Sequence, residues 1–415
     1  MDTEIKKWTI ADFRNKLNYV EKDDNYAINF IDELLKGAVH LNASDIHLEC
    51  LIDKINIKLR LDGMLYPLVS AALEFKDNLL TRLKFLARLA VYQHTQPQDG
   101  RLTFESNGLK LDLRTSFLPT IYGEKVVIRL PETEKISLDI HSLGMSDSIE
   151  EQLLSITMRR QGLLLLTGPS SSGKTTTIYS LLKYLYEQNG EGINIATIED
   201  PVEYSLGFLS QTQVNLAQEL SFAVGLKSIL RQDPDIIMIG EMRDFETTSI
   251  AVNAALTGHL VISTIHSNQA VGVFLRLLHI ELEPFLIASS VQGVLSQRLI
   301  RKLCPYCKKP IQPPPSFLST YNLEPTKIVF QSQGCHKCNL TGYAGRTGIF
   351  EFITMTDNLQ ELILSRAPVS EFSRYVSENK IPTLHQNGID KVIEDITSFE
   401  EILRVCGIID NEVRI

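Results

Sequence analysis

The chain has 415 residues, 44% of them hydrophobic and 22% charged, with a formal net charge of −9. That length suits about two or three domains, each able to bury a core. An acidic balance with no basic stripe argues against a protein that grips nucleic acid through phosphates. Runs such as GLLLLTG at 162–168 are too short to cross a bilayer, and MDTEIKKWTIADF lacks the apolar centre of a signal peptide, so the cytoplasm is the expected location.

Residues 1–35 form a short N-terminal extension, whose first 25 residues are polar and carry no strong pattern. Ile28, Ile31, Leu34, Leu35 and Val39 recur at helical spacing. INIKLRLDGMLYPL at 55–68 alternates apolar and polar residues, with Asp62-Gly63 where a hairpin turn belongs. LTF and LKLDLRTSFL alternate likewise around Ser106, Asn107 and Gly108, and VVIRL at 126–130 reads as another strand. Residues 36–130 are therefore expected to form a small α/β domain with an antiparallel sheet. Residues 131–144 are polar with few apolar anchors, and read as a linker.

From 145 to 415 the pattern changes. Short apolar runs (GLLLLTG, INIATIED, DIIMIGE, HLVISTIH) alternate with helical segments, which predicts a parallel sheet covered by helices. Gly168 to Thr175 fits G-x-x-x-x-G-K-[ST] between an apolar strand and a helix, the context that a P-loop needs. The backbone of Gly168, Ser170, Ser171, Ser172, Gly173, Lys174, Thr175 and Thr176 would cradle phosphates, with ATP as the expected nucleotide. Lys174 would reach the terminal phosphates, and the Thr175 hydroxyl would bind Mg²⁺.

Three further runs carry acid or imidazole. Glu199, Asp200 and Glu203 follow the strand ATIE, and any of them could serve metal or water or merely cap. Glu241 ends the strand IIMI, expected beside the P-loop strand, and is the first choice for orienting water. His259 and His266 flank the strand LVIST, which is expected next to the nucleotide. Charge developing on the γ-phosphate also calls for cations, for which Arg101, Arg114 and Arg129 are candidates, though surface arginines would look the same.

Residues 300–345 read as a small inserted knuckle with two cysteine pairs, Cys304/Cys307 and Cys335/Cys338. In a reducing compartment four thiolates at that double spacing suit tetrahedral Zn²⁺ better than disulfides, with His336 expected to be no ligand. Cys50 and Cys406 stand alone and read as buried thiols. Helical patterning returns at 357–405, with Ser398 and Glu401 forming a capping pattern.

Taken together, these motifs resemble the secretion and pilus-assembly traffic ATPases of type II secretion, type IV pili and DNA-uptake pseudopili. The resemblance runs from ASDIHLE at 43–49 through RLDG, QPQDGR, GEKVVIRL and the P-loop to IEDPVEY, LRQDPDIIMIGEMRD, TGHLVISTIHSN, QRLIRKLC, GRTGIFE and GIDKVIEDITSFEEILRV, ending at 405. It implies a PAS-like N-terminal domain followed by a RecA-like ATPase domain, working as a homohexamer on an inner-membrane platform protein. Membrane association would be peripheral, through partners, with no specific nucleic acid bound. By position, Lys174 and Thr175 look like the Walker A pair and Glu241 like the Walker B glutamate. Glu203 looks like the functional glutamate of the Asp box, His266 like the His-box residue, and Arg101 and Arg114 like the arginines that reach the phosphates. A tetracysteine knuckle favours the assembly and secretion members over the retraction members.

Three departures from the family pattern stand out. Ser171 replaces the inner glycine of GPTGSGKT, which costs energy if the backbone needs a positive φ. Glu219-Leu220 stands where the family tends to have a Gly-Leu turn. The further N-terminal domain of many relatives is absent from these residues, so its docking or cyclic-dinucleotide functions are not expected here. The expected activity is ATP hydrolysis that powers pilus, pseudopilus or secretion-piston assembly. The competing readings are a non-hydrolysing nucleotide-dependent scaffold and a nucleic-acid motor with a zinc knuckle.

Overall fold

Alternating apolar and polar positions in most strands between residues 45 and 129 build one antiparallel sheet. The computed structural model describes residues 9–407, other than 107–108, 132–137, 314, 322 and 325. The turn expected at 107–108 and the middle of the expected linker lie outside the described residues.

Two compact units emerge. The first holds residues up to 136 together with Cys304–Lys308 and Ser332–Gly345. Its elements are α1 (Ile10–Asn18), α2 (Tyr26–His40), β1 (Asp45–Cys50), β2 (Lys54–Leu61), β3 (Met64–Ala72), α3 (Lys76–Leu86), β4 (Gln98–Ser106), β5 (Leu109–Thr120) and β6 (Gly123–Arg129). The strands lie in the order β3-β2-β1-β6-β5-β4. Period-two patterning sends Ile55, Ile57, Leu59 and Leu61 of β2 inward with Val126 and Ile128 of β6, into one core with Phe30, Leu34 and Leu35 of α2 and Leu79 and Leu83 of α3. The hairpin at Asp62-Gly63 forms as expected, both residues having positive φ (46° and 81°).

Within the polar N-terminal stretch, the residues from Thr9 onward nonetheless fold. Thr9 and Asp12 make a capping box, and α1 buries Phe13 and Leu17. Phe13 fills the space over Gly37, where an added Cβ would come within 2.0 Å of the ring. Ile10, Phe13 and Leu17 fall at i, i+3 and i+7, a short signal over nine residues, and the helix is stabilised by that tertiary contact.

The second unit spans 137–303, 309–331 and residues from 346 onward. Its elements begin with α4 (Asp147–Thr157), β7 (Gly162–Thr167), α5 (Lys174–Asn189), β8 (Ile195–Glu199), β9 (Ser210–Gln213), α6 (Phe222–Ile229), β10 (Ile236–Ile239), α7 (Phe245–Leu256), β11 (Leu260–Thr264), α8 (Ala270–His279), α9 (Pro284–Ser290) and β12 (Val291–Leu303). They continue with β13 (Lys309–Ile311), α10 (Pro315–Thr320), β14 (Val329–Gln331), β15 (Tyr343–Thr354), α11 (Asp357–Leu364), α12 (Val369–Glu378), α13 (Leu384–Ile393) and α14 (Phe399–Cys406). The sheet order is β15-β12-β7-β11-β10-β8-β9, with parallel pairing from β12 through β9. β7, β8, β10 and β11 are buried along their whole length, as strands covered on both faces must be.

Two sequence expectations need adjusting. The end of the expected linker is part of the second unit: Ile140 is buried, and the Leu143 carbonyl accepts the Gly348 N–H at 3.1 Å. The 300–345 knuckle also divides, its cysteine-bearing segments grouping with the first unit and its β13–β14 hairpin with the second. Glu351 of β15, inside the GRTGIFE run, is buried and accepts the first N–H groups of α8 (Ala270, 3.2 Å) and α13 (Leu384, 3.3 Å). It thereby satisfies two helix starts at once.

Candidate functional site

The loops after β7, β11, β10 and β8 leave from one sheet edge, because those strands are parallel, and those after β10 and β8 carry acids. The G-x-x-x-x-G-K-[ST] loop leaves β7 at Gly168 and enters α5 at Lys174. Gly168 (φ 144°) and Gly173 (φ 89°) are obligatory here: a Cβ would meet the Gln297 carbonyl oxygen at 2.3 Å in the first case and the Gln297 amide nitrogen at 2.7 Å in the second. Gln297 of β12 is buried and accepts from the Thr177 hydroxyl at 2.8 Å, so it braces the loop from below. The sequence motif gave no sign of this role, which comes from a strand far along the chain.

Lys174 Nζ donates to the carbonyls of Gly168 and Pro169, each at 2.9 Å. Burial lowers its pKa, and the charge of Glu241 acts in the opposite sense. Glu241 follows β10. It is paired with Arg243, and its Oε2 lies 3.5 Å from His266 Nε2. That oxygen is buried and has no hydrogen-bond partner, as is true of Ser172 Oγ in the loop. An orphaned carboxylate oxygen and an orphaned loop hydroxyl, beside a helix N-terminus and a lysine, fit a magnesium-nucleotide. Thr175 is placed in the first turn of α5, where its hydroxyl could face the metal.

The strand ends are stitched together. Met242 N–H donates to the Thr264 carbonyl (2.9 Å), and the Thr264 hydroxyl to the Gly240 carbonyl (2.7 Å). The Thr167 hydroxyl donates to the Ser267 carbonyl and accepts the Ser267 N–H, both at 2.9 Å. Glu241 and His266 are thus held on rigid elements. β10 is not adjacent to β7, however: β11 intervenes, so Glu241 lies one strand further from the loop than the sequence reading placed it.

The two histidines separate. His266 is at the sheet edge with Glu241 and the glycine-rich loop, whereas His259 is at the other end of β11, where its carbonyl accepts the Gly162 N–H and its Nδ1 contacts the Ala254 carbonyl at 3.0 Å. The acids after β8 separate too. Glu199 is 3% exposed and hydrogen-bonded within the fold, while Asp200 and Glu203 are exposed. A cleft of about 390 Å³ opens beside the loop, lined by Gly168, Pro169, His266 and, from α8, Arg276 and His279. Those last two side chains carry no motif signal. Only their i, i+3 spacing on the helix after the histidine loop would have paired them.

Arg101, Arg114 and Arg129 belong to the first unit, at mutually opposed positions of β4, β5 and β6. Opposed residues share a face, so the three guanidiniums form a row, which continues to Asp45, 3.2 Å from Arg129 and 3.5 Å from Arg60.

Ser171 adopts φ 60° and Glu219 φ 58°, so both departures from glycine occupy left-handed backbone. Such a residue costs about 1–2 kcal/mol relative to glycine. Ser171→Gly and Glu219→Gly are each expected to stabilise the chain by about 1 kcal/mol, visible as a rise of about 2–4 °C in the melting temperature. An unchanged or lower melting temperature would show that the strain is compensated locally.

Also in the first unit, the sulfurs of Cys304, Cys307, Cys335 and Cys338 all lie within 4.8 Å of one another. Three of the separations are 3.8–3.9 Å. A tetrahedron with Zn–S bonds of about 2.3 Å has edges of about 3.8 Å, so the thiols match a zinc site and are far too distant for disulfides. The Gly342 and Cys335 N–H groups each donate to Cys338 Sγ at 3.2 Å, which favours a thiolate. His336 is exposed and outside the cluster. Cys50 is buried as expected, but Cys406 is only half-buried. Among the described residues no helix is long and apolar enough to cross a membrane.

Residues 20–404 match the sequence profile of the family described as type II/IV secretion system protein. The type II secretion system ATPase E of Vibrio cholerae is 42% identical over 386 residues, covering 92% of this chain and 76% of that protein. The type IV pilus assembly ATPase PilB of Myxococcus xanthus is 39% identical over 393 residues, covering 92% and 68%. Among solved structures, the pilus retraction motor PilT with bound ADP superposes with a TM-score of 0.58 at 25% identity, covering 90% of this chain and 96% of that one. The Legionella pneumophila ATPase DotB superposes at 0.66 with 19% identity, covering 92% and 96%, and shows the shared α/β fold.

Proposed function

The chain belongs to the type II/IV secretion system protein family and is an ATPase, and from that premise we propose that it is the hexameric motor of a pilus, pseudopilus or secretion machine. The observation that carries the reading is the convergence of Lys174, Glu241 and His266 on one sheet edge in such a chain. Lys174 and the loop N–H groups bind the phosphates. Glu241 orients the attacking water, with His266 beside its free oxygen and Arg243 holding the other. Glu203 works from the loop after β8. Mg²⁺, held by Thr175, would neutralise phosphate charge.

Arg101 and Arg114 of a PAS-like first domain supply the remaining cations to a nucleotide-binding RecA-like domain. Hydrolysis around the ring moves an inner-membrane platform protein, so that the chain works at the cytoplasmic face of the membrane through partners. Zinc folds the knuckle.

The test is made on the purified full chain. With nucleotide it is expected to have the mass of six copies, and Arg101→Ala or Arg114→Ala to lower turnover about 10-fold or more with nucleotide affinity little changed. A monomer with full turnover, or arginine variants as fast as the natural chain, would contradict the reading.

A further inference from the structure

The segment 200–206 between β8 and β9 has no regular structure, yet its backbone is held at three points. The Val202 N–H donates to Gln213 Oε1 at 3.2 Å, and the Leu206 N–H to Gln211 Oε1 at 2.9 Å. Gln211 Nε2 reaches the Tyr204 carbonyl at 3.3 Å. The Tyr179 hydroxyl lies beside this loop, 3.4 Å from Gln211 Nε2.

Tyr179 sits on α5, five residues after Lys174, about 7–8 Å along the helix axis. It is fully buried. Its hydroxyl donates to Glu199 Oε2, and the Tyr204 ring meets its own ring edge-on at 4.8 Å. The other Glu199 oxygen accepts from the Thr197 hydroxyl at 2.6 Å and from Gln211 Nε2 at 3.1 Å.

A carboxylate this buried, with three neutral donors and no cation among them, is costly to keep unless its acceptor capacity is used. A glutamine or an apolar residue would fill the same space more cheaply. What the carboxylate gains is two oxygens that accept at once: one fixes the Tyr179 hydroxyl beside Gln211 Nε2, and the other fixes the Gln211 amide so that it spans Tyr204 and Leu206.

We propose that Tyr179, Glu199 and Gln211 form a clamp that positions Glu203 for hydrolysis and ties the loop after β8 to the helix that begins at the phosphates. These three are positioning residues, and the proposal rests on the reading that Glu203 acts at the nucleotide. Tyr179→Phe keeps the ring and its contact with Tyr204 but removes the hydroxyl.

The experiment compares Tyr179→Phe, Glu203→Ala and the double variant in the purified full chain. Steady-state phosphate release is measured alongside the affinity for a fluorescent ADP analogue. Tyr179→Phe is expected to lower kcat about 10- to 100-fold, with KM and ADP affinity within about 2-fold. In the Glu203→Ala background it is expected to cost nothing further. Gln211→Ala, on the half-exposed edge strand, removes two of the loop anchors without opening the core. It gives the same split should Tyr179→Phe fold poorly. A natural kcat in both Tyr179→Phe and Gln211→Ala, with Glu203→Ala slow, would overturn the clamp and leave the role of Glu203 standing. The same fold-loss from Tyr179→Phe with and without Glu203 would also overturn it. A Glu203→Ala chain with natural kcat would overturn the role of Glu203 itself, and the clamp with it.

Discussion

A Glu241→Gln chain is expected to hydrolyse ATP about 10²- to 10³-fold more slowly than the natural chain while binding it with similar affinity. Glutamine keeps the shape and a carbonyl acceptor, so the strand end and the Arg243 contact largely persist. What is lost is the charge that holds a water's proton, and the negative field felt by Lys174 and His266. Glu241 Oε2 is buried and accepts no hydrogen bond, and His266 Nε2 lies 3.5 Å from it, so it can take a water. Single-turnover phosphate release, read beside the affinity for a fluorescent ATP analogue, checks the split. Equal loss of binding and turnover would instead make Glu241 a ground-state ligand.

The second large effect is expected at the four thiols. The purified chain should carry about one zinc per copy, and Cys335→Ser/Cys338→Ser should carry none. Zinc sites of this kind contribute about 10–16 kcal/mol of apparent binding energy in small folds. The cysteine-bearing segments 304–308 and 332–345 have few apolar side chains of their own to replace that: Cys304, Cys338 and Tyr343 are buried, while Tyr306, His336, Lys337 and Leu340 are exposed. Removing the metal should therefore expose 304–308 and 332–345 to protease and hydrogen exchange. The sign with pH follows from the ligands: thiolates must shed protons to bind, so zinc is released as pH falls. A chain free of zinc that resists protease at 332–345 as well as the natural chain does would contradict this.

The nucleotide loop, the acid-bearing strand ends and the cysteine pairs were legible because each is a local pattern with a chemical reason for its spacing. Ser171 and Glu219 show how far such reading reaches: a serine where the family has glycine raised the question of a positive φ, and both residues have one. What the sequence hid depends on distant pairing. β11 lies between β7 and β10, an order that adjacent apolar runs do not encode. Gln297 braces the loop from a strand more than a hundred residues away, and Arg276 and His279 reach the cleft only because α8 returns beside it. Glu199 and Glu203, four residues apart, looked alike as acids after a strand. Burial separates them, one turned into the fold and one left outside. The first helix offered only a short pattern, because Phe13 gains its stability from the notch at Gly37, not from its neighbours in sequence.

The most direct measurement is made in the host. The chromosomal copy is replaced with the Glu241→Gln form, and surface filaments, DNA uptake and secreted protein are quantified against the natural strain at equal protein level. Loss of one of these outputs with the others intact is the predicted result, and would identify the machine that this ATPase drives. All three outputs at natural levels would contradict the claim that its hydrolysis powers such a machine.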